Sequence, residues 1–404
     1  MERVTVSEVD ASVDPRGAPP TLGAPTRPSD TPAVRDVVRR AIDRGTTLRV
    51  VGRGTWLDAG RPVAGDAEPV ALDALSGIVD YVPGDLTLTA RAGTTLAEIA
   101  AVTRPNGQWL ALAPWGGDGG SLGATAATAS AGPVSGAYGT PRDVVIGVEV
   151  VAGTGDVIRG GGRVVKNVAG FDLTRLMVGA WGTLGIITEV SVRLRGLPER
   201  DVTVVLPAPS TQAGLSTLLS ALRVAPVAPI ALELIDGPLA NRLGFGAEPR
   251  LLARLVGNDE NVVSQRDALA QFGVVADTDT TVWDALRVAE PAPACVARLS
   301  SPVARFADTW LVAARMAADV PGAFAHASVL RSVSRVVIPN DGDTLPEAAD
   351  VSLRGPARET RIFERLPAPL WPALAPAAVT DRLSRGIRTA FDPDRILNPG
   401  ILGE

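Results

Sequence analysis

The chain has 404 residues, 46% apolar and 21% charged, with a net charge of −5, the profile of an ordinary soluble globular protein of two or three domains. The acidic balance speaks against a nucleic-acid surface. One cysteine (Cys295) and one histidine (His326) exclude an intramolecular disulfide and a His/Cys metal centre, so no metal is expected.

Residues 1–28 are rich in Pro, Ala, Ser and Asp and read as a flexible arm. They lack the basic and apolar regions of a signal peptide. No run of about 18 apolar residues occurs, so no membrane span is expected. Ser29-Asp30 caps a helix over Pro32–Arg44, with Val34, Val37, Val38 and Ile42 on one face and Gly45 as its stop. Short strands follow at Thr47–Val51, Pro69–Leu72, Ile78–Val82 and Leu86–Ala90. Thr95 and Glu98 form a capping box at the next helix. Trp109–Ala131 is almost free of charge and reads as a Gly-rich loop leading into a helix of small residues. Arg142–Ala152 and Val157–Arg159 read as a hairpin, and Ile186–Leu194 as a strand.

Beyond Pro198 the pattern becomes strand Val202–Leu206, helix Thr211–Leu222, strands Ile230–Ile235 and Arg250–Val256, helix Glu260–Phe272 and strand Val274–Ala276. That β-α-β-β-α-β order is the ferredoxin-like unit. A helix near Phe306–Ala318 and strands near Cys295–Leu299 and Ala325–Val337 extend it. Asp341–Arg361 reads as loop, Val379–Phe391 as a helix, and Asn398-Pro399-Gly400 as a turn.

Three glycine loops each adjoin a β-rich run: Val51–Thr55 (VGRGT), Gly116–Ala124 (GGDGGSLGA) and Gly182–Ile187 (GTLGII). Successive N–H groups in such turns form anion-binding nests. The first lacks the third glycine and the acidic residue of a Rossmann fingerprint. Three loops in series point to a dinucleotide instead.

Four stretches carry a resemblance: Leu48–Thr55, Pro114–Gly132, Tyr138–Ala152 (with GTPRDVVIGVEVVAGTG at 139–155) and Val164–Val190 (VVKNVAGFDLTRLMVGAWGTLGIITEV). With the terminal FDPDRILNPG (Phe391–Gly400), they resemble the vanillyl-alcohol-oxidase-type (PCMH-type) FAD-binding flavoproteins, and within them the FAD-binding E subunits of bacterial glycolate oxidases. The resemblance implies an α+β fold. Residues 29–198 would be a two-subdomain FAD-binding domain, 199–378 a ferredoxin-like cap, and 379–404 a helix and tail returning to the flavin. It implies FAD contacts at Gly52, Arg53, Gly54, Thr55, Ser121, Gly123, Ala124, Gly182, Gly185 and Ile187, with Pro114, Thr128 and Gly139 along the ribityl chain and ring, and Asn398 near the flavin. FAD would be non-covalent, because the first two loops contain no His or Cys. The implied activity is oxidation of glycolate or a related small 2-hydroxy acid. The implied partners are a larger FAD-containing subunit and an iron–sulfur subunit, in the cytoplasm or held peripherally at the inner membrane face through those partners. A self-sufficient dehydrogenase and a non-catalytic assembly subunit are the alternatives.

The chain departs from the family in two ways. It lacks the His cluster of many catalytic members, and Trp181 stands where an acidic residue often precedes Gly-Thr-Leu-Gly. Catalytic residues are therefore open. Lys166, the only lysine, either faces the flavin or pairs with Asp172. His326 is either a base or a half-exposed structural residue on a strand that also carries Arg331 and Arg335. Tyr138 is a further candidate base. Asn398 either contacts the flavin or caps its turn. Trp109, Trp115 and Trp181 read as core side chains rather than stacking partners.

Overall fold

The computed structural model describes residues 23–162, 172–340, 344–347, 353–354 and 359–403. These form two compact units. One gathers the described residues of 18–131, 139–197 and 376–404; the other gathers 132–138 and 198–375. Residues 132–138, expected with the FAD-binding segment, thus cluster with the second unit.

The first unit opens on Thr26, which bridges Val70 in parallel, so the expected arm already holds a paired residue at this point. Helix α1 (Thr31–Arg44) is capped by Asp30, whose carboxylate accepts from Ala33 N–H at 2.7 Å, and it stops at Gly45 with φ +62°. It buries Val34, Val37, Val38 and Ala41. Strand β1 (Leu48–Val51) pairs in parallel with β2 (Glu68–Ala71). Then come β3 (Ile78–Val82), β4 (Thr87–Arg91), α2 (Leu96–Thr103), the short β5 (Gln108–Trp109), α3 (Leu122–Thr128), α4 (Ser135–Tyr138) and α5 (Pro141–Val144). After these run β6 (Val145–Val151), β7 (Val157–Gly161), α6 (Leu173–Met177), β8 (Ile186–Arg193) and β9 (Arg195–Gly196). A five-stranded antiparallel sheet has the order β3-β4-β8-β6-β7. The expected hairpin is β6–β7, but residues 141–144 are helical. Pro141 sits in the first turn and Thr140 with Asp143 closes a capping box, so local capping overrides the valine-rich pattern.

The second unit carries β10 (Arg200–Pro207), α7 (Gln212–Val224), β11 (Ala231–Ile235), α8 (Gly237–Arg242), β12 (Arg250–Gly257), α9 (Asp259–Ala270), β13 (Ala276–Thr278) and α10 (Val282–Arg287). It continues through β14 (Ala294–Ser300), α11 (Phe306–Ala318), β15 (Phe324–Ser328), β16 (Val333–Pro339) and β17 (Thr360–Arg365). Its single antiparallel sheet has eight strands in the order β13-β10-β12-β11-β15-β16-β14-β17. The first four are the strands of the expected β-α-β-β-α-β unit; the others widen it. The run near Ala325–Val337 is a hairpin rather than one strand, because Val329–Arg331 turns and Ser332 adopts φ +53°. Much of 341–361 lies outside the described residues.

In this unit one sheet face meets α7, α9 and α11 through residues such as Leu234, Ala297, Ala325, Val336, Leu219, Val262 and Trp310. Side chains alternate along a strand, so the intervening positions Glu233, His326, Arg335 and Arg298 share the opposite face.

The chain returns to the first unit through a terminal helix, Arg382–Phe391, capped by Asp381. It starts three residues later than expected.

Glycine is required where backbones touch. A Cβ on Gly93 would overlap the Leu72 carbonyl oxygen and lie 2.8 Å from that of Leu75. Neither obstacle is a flexible side chain, so Gly93→Ala is expected to cost about 1–3 kcal/mol, a thermal midpoint lower by roughly 2–10 °C. Gly84→Ala, whose Cβ would meet nothing within 4 Å, is the matched control and is expected to melt with the wild type.

Candidate functional site: a glycine-lined cationic cleft

The site is built where β1 ends. Val51 leads into Gly52–Thr55, and Gly54 adopts φ +76°, a conformation that favours glycine. This turn lies against the start of α3. A Cβ on Gly52 would collide with the Ser121 hydroxyl and come within 2.9 Å of Ala124 Cβ. Ser121 Oγ accepts from Ala124 N–H at 3.4 Å and caps the helix. Gly123 lies on Ala92: its N–H donates to Ala92 O at 2.8 Å, and a Cβ there would be 2.5 Å from Ala92 Cβ. The third turn brings Gly182, at φ +68°, to the Asn398 amide; a Cβ on it would be 2.9 Å from Nδ2. Gly185 lies against the Val151 carbonyl.

These turns enclose a cleft with about 920 Å³ of free space, open solvent at its mouth included. Twelve of the fourteen expected cofactor residues line it: Gly52, Arg53, Gly54, Thr55, Ser121, Gly123, Ala124, Thr128, Gly182, Gly185, Ile187 and Asn398. Pro114 and Gly139 do not. Gly139, at φ +91°, packs over Asp143 and serves the turn into α5.

The charge of the cleft is one-sided. Among the described residues, Arg49, Arg53 and Arg61 line it and no Asp or Glu does. Arg49 donates to Leu57 O at 3.0 Å, and Arg53 Nε to Gly93 O at 3.1 Å. Glu98 lies 3.7 Å from Arg53 outside the lining; its carboxyl is held low by the Thr95 backbone N–H and, more weakly, by Arg53. Burial lowers the pKa of Arg49 and Arg61, so an anion in the cleft would be favoured by both. Arg49, Arg61 and Ile401 were not legible as site residues; their only signal was proximity in sequence to VGRGT and to the terminal Asn-Pro-Gly.

Asn398 has a structural task. Its Oδ1 accepts from Val50 N–H at 2.7 Å and its Nδ2 donates to Trp181 O at 2.8 Å. Trp181 is not a core residue; its half-buried side chain lines the cleft. Trp115 is buried, as expected.

The catalytic candidates do not gather there. Lys166 lies outside the described residues. Asp172 caps α6 by accepting from Arg175 N–H at 3.0 Å and pairs with Arg175. Tyr138 ends α4 and does not line the cleft. His326 is buried, not half-exposed: 1% of its side chain is accessible. It lies 3.8 Å from Glu233 and 3.6 Å from Glu290, whose carboxylate also meets Arg335 at 2.8 Å and Arg365 at 3.5 Å. Arg335 sits opposite it on β16 rather than farther along its own strand, and Arg331 lies in the turn. Among the described residues no group of three or more His, Cys, Asp or Glu is placed to hold a metal ion.

Residues 24–161 match the family model described as FAD binding domain. That match covers about a third of the chain. It is 39% identical over 171 residues to the glycolate oxidase subunit GlcE of Escherichia coli, covering 42% of this chain and 48% of that protein. It is 32% identical over 224 residues to a probable mitochondrial D-lactate dehydrogenase of Danio rerio, covering 53% and 44%. The chain thus spans about half the length of these curated relatives. Its fold is similar to that of p-cresol methylhydroxylase, with a TM-score of 0.73 at 17% identity, covering 93% of this chain and 88% of that one. The fold is therefore of the PCMH type. No helix of the described residues is long and apolar enough to cross a membrane.

His326 gives a pH signature. Burial disfavours its cation, but the neighbouring carboxylates of Glu233 and Glu290 outweigh burial and raise its pKa. A histidine whose folded pKa is raised stabilises fully below its unfolded value of about 6.5, and that stability is lost as pH rises through the folded pKa. The wild-type melting midpoint is therefore expected to fall as pH rises above about 6.5. His326→Gln is expected to lower it at pH 6 and flatten this slope; an unchanged slope in differential scanning calorimetry would refute the assignment.

Proposed function

We propose that this chain is the FAD-binding subunit of a glycolate oxidase-like 2-hydroxy-acid dehydrogenase complex and takes part in oxidation of glycolate to glyoxylate. One observation carries the reading. Three glycine turns from separate segments meet at a cleft whose described lining bears three arginines and no acid, in a chain whose net charge is −5. Such a cleft suits a pyrophosphate held by backbone N–H groups and guanidinium forks. The residues fit FAD: side chains at Gly52 and Gly123 would collide with neighbours, so the turns stay close-packed and their backbone can approach a ligand.

When bound, FAD supplies a two-electron acceptor. The chain's own part is to hold and orient it. Arg49, Arg53 and Arg61 supply positive charge for the pyrophosphate, Ser121 and Thr128 offer hydroxyls beside α3, and Gly185 with Ile187 presents strand backbone. The lining contains no His or Cys, which supports non-covalent attachment. Among the described residues its titratable side chains are the arginines, always protonated at ordinary pH, so the described lining offers no general base. That favours a subunit working beside a larger FAD-containing subunit and an iron–sulfur subunit over a self-sufficient dehydrogenase. The printed description of the E. coli relative as a subunit agrees with this placement. The intact glycine turns speak against a purely structural assembly role. The complex would act in the cytoplasm or peripherally at the inner membrane face.

The visible spectrum of the isolated chain, before and after anaerobic glycolate, tests this reading. The expected result is a flavin band that persists with glycolate alone, and loss of glycolate-dependent dye reduction when this chain is omitted from the complex. Bleaching of the isolated chain would establish the self-sufficient enzyme. A colourless chain that takes up no added FAD would overturn the cofactor reading.

A further inference from the structure

Trp181 occupies a position where its residue type is costly. Its φ is +55°, in the left-handed region that bulky side chains rarely enter. The surroundings hold it there. Its N–H donates to Ala127 O at 2.8 Å, and its carbonyl accepts from Asn398 Nδ2 at 2.8 Å. Gly60 makes room for the ring: a Cβ at that residue, itself at φ +79°, would lie 2.8 Å from Trp181 Cζ3 and 3.1 Å from Ile401 Cγ1. The indole is thus seated over bare backbone, beside the C-terminal tail, and lines the cleft. Glycine or asparagine would satisfy the backbone at lower cost. Strain kept in place by its neighbours is characteristic of ligand sites.

We infer that the Trp181 indole is the stacking platform for the adenine ring of the bound dinucleotide, an assignment that rests on the FAD reading above. FAD carries a flat ring system on either side of its pyrophosphate. The cleft pairs cationic and glycine-lined walls with the apolar carbons of Trp181, Leu57 and Ile401. Adenine undergoes no chemistry and needs only a dry face and fixed contacts. The wall beside Trp181 suits that role: Gly60, Ile401 and an Asn398 amide already bonded to backbone on both sides. An indole offers a face on which a base can stack.

The test compares Kd values of FAD, ADP and FMN for flavin-free protein by calorimetry, in wild type, Trp181→Asn and Trp181→Phe. Asn accepts the left-handed backbone, so the fold is kept while the ring is lost. The expected result is that Trp181→Asn weakens FAD and ADP alike by about 5- to 100-fold, leaves FMN unchanged, and that Trp181→Phe recovers most of the loss. Trp181→Leu, which keeps apolar bulk without a flat face, gives the same readout should the Asn variant not fold. ADP affinity unchanged in these variants, or wild type that binds FAD but not ADP, overturns the inference while leaving the FAD reading standing. Wild type that binds neither FAD nor ADP overturns both.

Discussion

The cleft depends on one side-chain amide. Asn398 accepts from Val50 N–H, donates to Trp181 O and, through its own N–H, donates to Leu48 O at 2.9 Å. It thereby ties together β1, the Gly-Thr-Leu-Gly turn and the C-terminal tail, stretches up to 348 residues apart. Its φ of +42° is a conformation asparagine tolerates better than most residues. The tail is held in place just upstream. Asp392, fully buried, accepts from Ile396 and Leu397 N–H at 3.0 Å each and pairs with Arg388 at 3.2 Å. Arg388 in turn donates to the carbonyls of Thr183 and Leu397. Removing Asn398 would take away the acceptor of the Val50 N–H as well as loosen the turn. The cleft is therefore complete only when the last residues of the chain have docked.

That dependence explains which parts of the site could be read from sequence. The glycine turns and the Asn-Pro-Gly turn are local signals, because the required backbone shape is written in the residues that adopt it. The same holds for α1, with Asp30 and Gly45 at its ends, and for the Thr95–Glu98 capping box, where Glu98 accepts from Thr95 N–H at 2.6 Å. Arg49, Arg61 and Ile401 gave no local signal; they become lining only through the packing of β1, the following loop and the tail. Asn398 was recognised as a site residue, but its hydrogen bonds to residues 50 and 181 are long-range facts.

In the second unit helices α7, α9 and α11 and most strands were readable from periodicity, while α8, α10 and the eight-strand order were not. Neighbours such as β11 and β15, or β14 and β17, are brought together by pairing that leaves no trace within either segment. The β15–β16 hairpin was hidden for a different reason. Its turn contains no glycine, and the left-handed residue is Ser332, so the usual punctuation is missing. The burial of His326 is not legible in sequence because an alternating strand pattern fits a solvated face as well as one covered by charged groups. The carboxylates that neighbour it come from Glu233 on another strand and Glu290 in a loop.

The arginines show how one residue type serves two ends. In the second unit Glu290 stands between Arg335 and Arg365, and Glu364 meets Arg335 at 2.8 Å and Arg298 at 3.4 Å. Those cations are matched by carboxylates from the same sheet and its loops, so burying them serves the fold. Breaking such a pair leaves a charge uncompensated. In the cleft the described lining supplies guanidinium groups and no carboxylate, and burial lowers the pKa of Arg49 and Arg61. There, glycine turns that present backbone N–H groups beside arginines favour a phosphate-bearing ligand.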